Sequence, residues 1–550
     1  MSAKIKIDRN TKIVISVLVI VCLILSGLYT YFEFFYKEEI VEETNDKEID
    51  DRISPLTNQA VFMTIHRIRK KGIIDVMINS GSDILNKIPI KNSAIAAILD
   101  GLRPGIGWNE KTSYYYIAVL DDYEYRGRDI YDKWDTSYMN QAVFREVEDE
   151  KPLAEIEFKI IENIEEKKLF RSEVKQKERE CFKVIYDFRT GFWNGDDYFN
   201  DSDGYGHFDG KNYEIWFNIY QTSFDEDNIP WWIEVNVLGT DPKTDDSKLD
   251  PDGDGIPTEW EWRWGYDPFK WDNHTTLDPD LDGLQNTEEY IMSKWLANPF
   301  YPEIYIETDY MEKTPGGKFK FEIVKEQSKL LPRIKKSPLD GWEHVFYEES
   351  QQMLIELFNE HGISVHIDDG VMGGGGDLLP FGRGNQAYEQ EAGVVAGFYN
   401  NNFADERKGI FRYLVVAYGG GWCHPQDSNH YYDCICIPHN YNFFKNQLSY
   451  ALTERTKRIG QAVQVLHELG HSLAIYWDGV DNSTGKAGNP PDYPWLDYVS
   501  CMNYDYFADR VYDYSDGSNG EYDHDDWGSL DLTFFQKPSL RMEGLGWEYK

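Results

Sequence analysis

Between Ser223 and Pro299 the chain repeats a pattern roughly 27 residues long, and carboxylates dominate it. The units are FDEDNIPWWIEVNVLGTDP, LDPDGDGIPTEWEWRWGYDP and LDPDLDGLQNTEEYIMSKWLANP. In the second, Asp250, Asp252 and Asp254 take loop positions 1, 3 and 5, Gly255 takes position 6 and Glu261 position 12; in the third, Asp278, Asp280, Asp282, Gly283, Asn286 and Glu289 follow the same order. This spacing turns alternate carboxylates toward one point, the glycine permits the sharp turn, and the last glutamate offers both oxygens, a donor set suited to calcium. The first unit is degenerate: it has Asp225, Asp227 and Glu234 but Ser223 and Asn228 where Asp and Gly are expected, and its cation binding stays open. Carboxylates this dense repel one another until a cation neutralises them, so the segment cannot fold by apolar packing alone.

The spacing is EF-hand-like, and residues 223–300 resemble thrombospondin type 3 repeats. That resemblance implies a calcium-stiffened spacer between two domains.

A second motif lies in QAVQVLHELGHSLAIYW, Gln461 to Trp477. Apolar residues at Ile459, Ala462, Val463, Leu466, Leu469 and Leu473 give it helical periodicity, with one face in a core and the histidines at that face's edge. His467 and His471 are spaced to share a helical face where two imidazoles reach one zinc ion, and Glu468 stands beside them as a base for zinc-bound water. Downstream, SCMNY (Ser500 to Tyr504) falls in an irregular stretch rich in Tyr, Asp, Asn and Gly. HELGH followed by an M-x-Y turn resembles the metzincin clan of zinc endopeptidases. The resemblance implies that Met502 packs beneath the metal and that Tyr504 touches zinc or the oxyanion.

The metzincin pattern departs here at the third ligand. Ala474 stands in the place of the helix-ending glycine and Trp477 in the place of the ligand, and indole cannot bind zinc. Asp481, brought back by a turn at Gly479, is the favoured replacement, with Asp478 as the alternative. His524, in the acidic run YSDGSNGEYDHDDWGSLDL, is a lesser candidate. Three protein ligands and one open position describe a catalytic zinc site rather than a structural one. Glu468 would then take a proton from the water and pass it to the leaving amine, while zinc and Tyr504 would stabilise the oxyanion.

Ile13 to Phe32 forms an uncharged run of about twenty residues, long enough to span the hydrocarbon core. Lys4, Lys6, Arg9 and Lys12 precede it and acidic residues follow, so it reads as a single transmembrane anchor with a cytoplasmic N-terminus and an extracellular remainder. A net charge of −40 agrees with a surface protein loaded with cation sites and argues against nucleic acid as a partner. Cys423 paired with Cys434 or Cys436 is one candidate disulfide.

The chain is thus expected to be multidomain: a basic segment at 1–12, an N-terminal transmembrane helix at 13–32, an acidic stalk at 33–52, a β-sandwich-like domain at 53–222, the calcium-binding repeat spacer at 223–300, and an α+β metzincin-like catalytic domain at 301–550. In the β-rich part, loops carrying Asp129, Asp132, Asp135, Asp196, Asp197, Asp201 and Asp203 are either a further calcium site or ordinary Asp-rich turns. GGGG, Gly373 to Gly376, reads as a flexible loop because no GK[ST] follows it. The function expected is a membrane-anchored extracellular zinc endopeptidase acting on a protein or peptide substrate. The alternative is a calcium-dependent surface adhesion or structural protein with a vestigial zinc site, a reading that Ala474 and Trp477 favour.

Overall fold

The computed structural model describes residues 59–72, 113–131, 135–136, 139–168, 171–198, 205–223, 225–312, 321–324, 333–336, 344–380, 395, 397–417, 421–424, 433–438, 454–475, 497–503, 511–521 and 523–536. The chain divides into a unit at 1–54, outside the described residues, and a unit at 55–550.

The first half of the larger unit is built from eleven strands: β1 Ala60–Lys70, β2 Ser113–Leu120, β3 Tyr123–Arg126, β4 Ile130–Tyr131, β5 Asp135–Thr136, β6 Gln141–Glu146, β7 Leu153–Lys168, β8 Arg171–Asp187, β9 Phe192–Gly195, β10 Gly206–Asp209 and β11 Tyr213–Gln221. They form two antiparallel sheets, one ordered β10-β11-β1-β5 with β6 also on β1, the other β3-β2-β7-β8-β9 with β4 also on β2. Alternation produces the shared core: Tyr114, Tyr116, Ala118 and Leu120 of β2 meet Val61, Met63, Ile65 and Ile68 of β1 in one buried cluster. The described loop aspartates serve local structure, while Asp132, Asp201 and Asp203 lie outside the described residues. Asp135 pairs with Arg67, Asp129 with Arg126, Asp196 accepts from the Lys183 N–H, and Asp197 accepts from Trp193 and the His207 N–H.

Residues 223–300 are loops closed by short helices, α1 Thr258–Arg263 and α2 Asn286–Met292. They are not a free-standing spacer. Trp260, Trp264, Ile256 and Leu296 share a cluster with Tyr205 and Trp216 of the first half. On the other side the Glu303 N–H donates to Asp282 at 2.8 Å, and Gln536 Nε2 donates to the Gly283 carbonyl at 2.6 Å. The tryptophans supply the apolar area that the acidic loops lack.

The last part holds β12 Glu303–Met311, the hairpin β13 Phe321–Val324 and β14 Arg333–Lys336, α3 Glu348–Glu360, β15 Ser364–Asp368, β16 Leu378–Leu379, β17 Phe411–Ala417, β18 Trp422–His424, β19 Cys434–Pro438 and α4 Glu454–Ser472. Its main sheet runs β15-β12-β17-β19-β18, with β16 also on β12; only β18 is antiparallel to its neighbour. One face, with Ile304, Ile306, Leu414, Val416, Ile435 and Ile437, packs on α3 and α4. The opposite face carries Tyr305, Tyr413, Val415, Cys434 and Cys436. Cys423 lies in the first cluster and Cys434 and Cys436 in the second, so the candidate Cys423 pairings would join side chains assigned to opposite faces of the sheet.

Two expectations are corrected. The described chain is mostly β-sheet with few helices, and only α3 and α4 are long, so it is not a clear metzincin α+β fold. No described helix is long and apolar enough to cross a membrane, so the expected single-pass topology, and the localisation built on it, find no span among the described residues. α4, the longest described helix, carries Glu454, Arg455, Lys457, Arg458 and Glu468, whose charges rule it out as a span. The run at 13–32 itself lies outside the described residues.

The first half is tied to α3 by a buried ion pair. Arg69 on β1 pairs with Glu214 on β11, both nearly free of solvent, and Asn359 of α3 donates to the same carboxylate. Removing one partner strands the other charge in a low-dielectric interior. Glu214→Ala should therefore cost about 3–5 kcal/mol in urea unfolding; a loss below about 1 kcal/mol, the size of a surface pair, would contradict this picture.

Candidate metal centres

α4 is enclosed on all sides rather than lying at a core edge: every residue from Gln461 to Leu473 is buried. His467, Glu468 and His471 are 1%, 4% and 7% exposed, and their donor atoms lie within 4.8 Å of one another. The two imidazoles stand nearly perpendicular, ring centres 5.0 Å apart. His467 Nδ1 is 2.9 Å from the Cys501 carbonyl oxygen. Since a carbonyl only accepts, that contact puts the proton on Nδ1 and presents the Nε2 lone pair, the arrangement that a metal-binding histidine needs.

The turn that supplies this carbonyl also supplies Met502. A Cβ on Gly470 would lie 2.6 Å from Met502 Sδ and 3.2 Å from the Tyr514 ring, so the glycine of HELGH is the gap into which the methionine fits. The turn is pinned by buried Asp526, which accepts from the Tyr498 hydroxyl, from Ser500 Oγ at 2.6 Å and from the Ser515 N–H. Tyr514 donates to the Leu466 carbonyl at 2.6 Å. Neither Asp526 nor Tyr514 stood out in sequence, because Asp526 is one carboxylate among many in an acidic loop. His524 faces Asp526 at 3.3 Å, and that carboxylate holds its pKa above the ordinary imidazole value.

α4 ends where a helix-stopping glycine was expected. Ala474 takes a left-handed φ of 68°, and the Ile475 N–H donates back to the Gly470 carbonyl at 3.0 Å, closing a Schellman turn. The missing glycine is thus replaced in conformation by an alanine. Asp478, Asp481 and Tyr504 lie outside the described residues.

The three acidic loops share one backbone. Positions 4 and 6 are left-handed in each: Glu226 and Asn228 (φ 66° and 67°), Gly253 and Gly255 (80° and 99°), Leu281 and Gly283 (64° and 100°). The degenerate first loop therefore folds like the others despite lacking glycines. It gathers Asp225, Asp227 and Glu234, as the others gather Asp250, Asp252, Asp254 and Asp278, Asp280, Asp282. The closing glutamates Glu261 and Glu289 are buried, and none of their four carboxylate oxygens accepts a hydrogen bond. Asn286 does not point at the third loop's carboxylates alone; its Nδ2 meets His274 Nδ1 at 2.8 Å.

Burial and mutual repulsion push these acids up, Glu234 to about 9, Glu261 and Asp280 to about 8, and Asp227 and Asp282 to about 7. Buried carboxylates with vacant lone pairs are a cation's donor set.

A third ordered feature corrects the flexible reading of GGGG. The Asp368 carboxylate accepts N–H bonds from Gly370, Met372, Gly374 and Gly375 at 2.8–3.1 Å and pairs with Arg407. Burial raises its pKa, but the backbone donors outweigh burial and hold it below the usual value. A Cβ on Gly375 would lie 2.0 Å from the Asp368 carbonyl oxygen, so the glycines are needed for this close wrap.

No family model matches the chain, and no curated protein matches it. Among solved structures, human GIVD cytosolic phospholipase A2 in complex with methyl gamma-linolenyl fluorophosphonate is 14% identical, over 30% of this chain and 18% of that chain, with a TM-score of 0.16. Its complex with the inhibitor and terbium chloride is 13% identical at the same coverage and TM-score. Likeness this slight carries no argument about this chain's fold or chemistry.

Because the folded pKa values of Glu234, Glu261 and Asp280 lie above those of the unfolded chain, their contribution to stability is complete below about pH 4 and is lost as pH rises through 8 to 9. In chelator, thermal unfolding should fall to lower temperature between pH 5 and pH 9; saturating calcium should raise it most at the alkaline end. A chelated protein that gains stability over that range, or no calcium shift at pH 8, would contradict the loops as cation sites.

Proposed function

We propose that this chain is a zinc-dependent endopeptidase whose acidic loops hold structural divalent cations, calcium being the ion their carboxylates suit. The observation that carries the reading is the Cys501 carbonyl on His467 Nδ1, which orients Nε2 beside His471 and Glu468 on one helix. The residue pattern resembles that of metzincin endopeptidases; the reading rests on the site and not on the fold.

His467 and His471 would hold the zinc, with Asp481 or Asp478 as the third protein ligand. Bound there, zinc would supply a Lewis acid and a water activated near neutral pH. Glu468 takes the proton from the attacking water and delivers it to the leaving amine. Enclosure keeps bulk water from that carboxylate, which is 4% exposed. Tyr504 is the candidate hydroxyl for the oxyanion.

The rival reading, a calcium-dependent adhesion or structural protein with an inert zinc site, is favoured by one observation: the acidic loops are packed between the sandwich and the last sheet, where cations would serve architecture.

Glu468→Gln separates the two. It should keep zinc at the parent's stoichiometry and lower kcat for a peptide substrate by about 10²–10⁴-fold. An unchanged rate, or a parent chain that binds no zinc, would overturn the proposal.

A further inference from the structure

The loop spacing accounts for the oxygens of the middle site but not for His274. This residue lies beyond the end of the second loop and is completely buried. Its Nε2 stands 3.3 Å from Asp254 Oδ2 and 3.6 Å from Glu261 Oε1, yet makes no hydrogen bond with either. The nitrogen is therefore held close to both carboxylates without being aligned on one. The donor atoms of Asp254, Glu261 and His274 lie within 4.8 Å of one another, and the exposures of these residues are 8%, 0% and 0%.

The surroundings fix the ring. Trp260 and Tyr266 meet it edge to face at 6.1 and 4.8 Å between centres. Nδ1 is engaged by the Asn286 amide. As placed, the Asn286 Nδ2 donates to Nδ1; ligation by Nε2 needs the proton on Nδ1 instead, which Asn286 can accept by turning its amide so that Oδ1 faces Nδ1–H, leaving the Nε2 lone pair toward the two carboxylates.

We propose that the middle loop is a mixed nitrogen and oxygen metal site, with His274 Nε2 as a direct ligand beside Asp254 and Glu261, and that it takes a borderline divalent cation of the zinc class in preference to calcium. The proposal takes the loops as cation sites, as above, and changes the ion at one of them. Imidazole suits zinc, copper, iron and nickel, whereas purely carboxylate and carbonyl sets suit calcium, magnesium and manganese. The first and third loops gather Asp225, Asp227, Glu234 and Asp278, Asp280, Asp282, all oxygen donors. Three loops with one backbone would thus hold two kinds of ion, separated by one histidine that no loop motif contains. Because His274 also touches Asn286 of the third loop, the middle ion would fix the start of α2 as well.

Cadmium NMR of the full chain tests this, since each bound cadmium gives its own resonance and nitrogen ligation moves it away from the all-oxygen range. The expected result is one nitrogen-shifted resonance that persists in His467→Ala, is split when histidine carries the heavy nitrogen isotope, and vanishes or moves into the all-oxygen range in His274→Asn. Zinc affinity of that site should fall at least about tenfold in His274→Asn, the lower bound known for outer-shell partners. Loop resonances that are all of the oxygen type, or a nitrogen-shifted one unsplit by labelling, would overturn the His274 assignment while leaving the loops as cation sites. No cadmium in any loop would overturn both. The labelling arm is read on His467→Ala, where the α4 site has lost a histidine, so a split resonance there decides the matter even where His274→Asn fails to fold.

Discussion

Buried negative charge is the constraint on which the middle of this molecule depends. Glu234, Glu261 and Glu289 sit at the ends of three loops with almost no exposure, and an isolated buried carboxylate is too costly to keep ionised without a partner. Protonation is one escape and a divalent cation the other. The loops favour the second, because each repeats the same two left-handed residues and turns backbone N–H onto the side chain at its first position, as Gly253, Asp254 and Gly255 do on Asp250, Gly283 on Asp278 and Asp227 on Ser223. The loops also join the two halves of the described chain. Asp282 accepts from the first residue of β12, and the tryptophans of α1 pack on the sandwich. Neutralising the loops therefore stabilises more than the loops.

The zinc-site candidate follows a parallel logic on a smaller scale. A backbone carbonyl selects the tautomer of His467, a glycine admits the methionine beneath the helix, and Asp526 holds the turn that provides both. These supports come from residues far apart in sequence, and each fixes an orientation rather than adding a ligand. Their cost, a buried aspartate and a strained Ala474, is the kind that persists where the surroundings over-determine it.

Much of this was legible before any coordinates. The alternation in YYYIAVL and YEIWFNIY marks strands, HELGH with its apolar spacing marks a helix, and the Asp spacing marks the loops. Even the degenerate first loop kept enough of the pattern to be recognised. What stayed hidden depends on contacts rather than on spacing. His274 acts across a loop boundary, Asp526 is one acid among many, and GGGG looks mobile until Asp368 is seen within its N–H groups. The membrane topology rested on one apolar run that lies outside the described residues, and no described helix is long and apolar enough to cross a membrane. The metzincin likeness of HELGH and CMNY was local, and the β-rich fold around it did not extend the likeness.

The most direct measurement is metal-restored hydrolysis. With calcium kept saturating so that the loops stay formed, the chain is stripped of transition metal and zinc is titrated back while cleavage of an unfolded protein substrate is followed. The account predicts no cleavage without zinc and a return of cleavage with zinc that depends on Glu468. Cleavage that never returns, or that proceeds unchanged in the stripped protein, would contradict it.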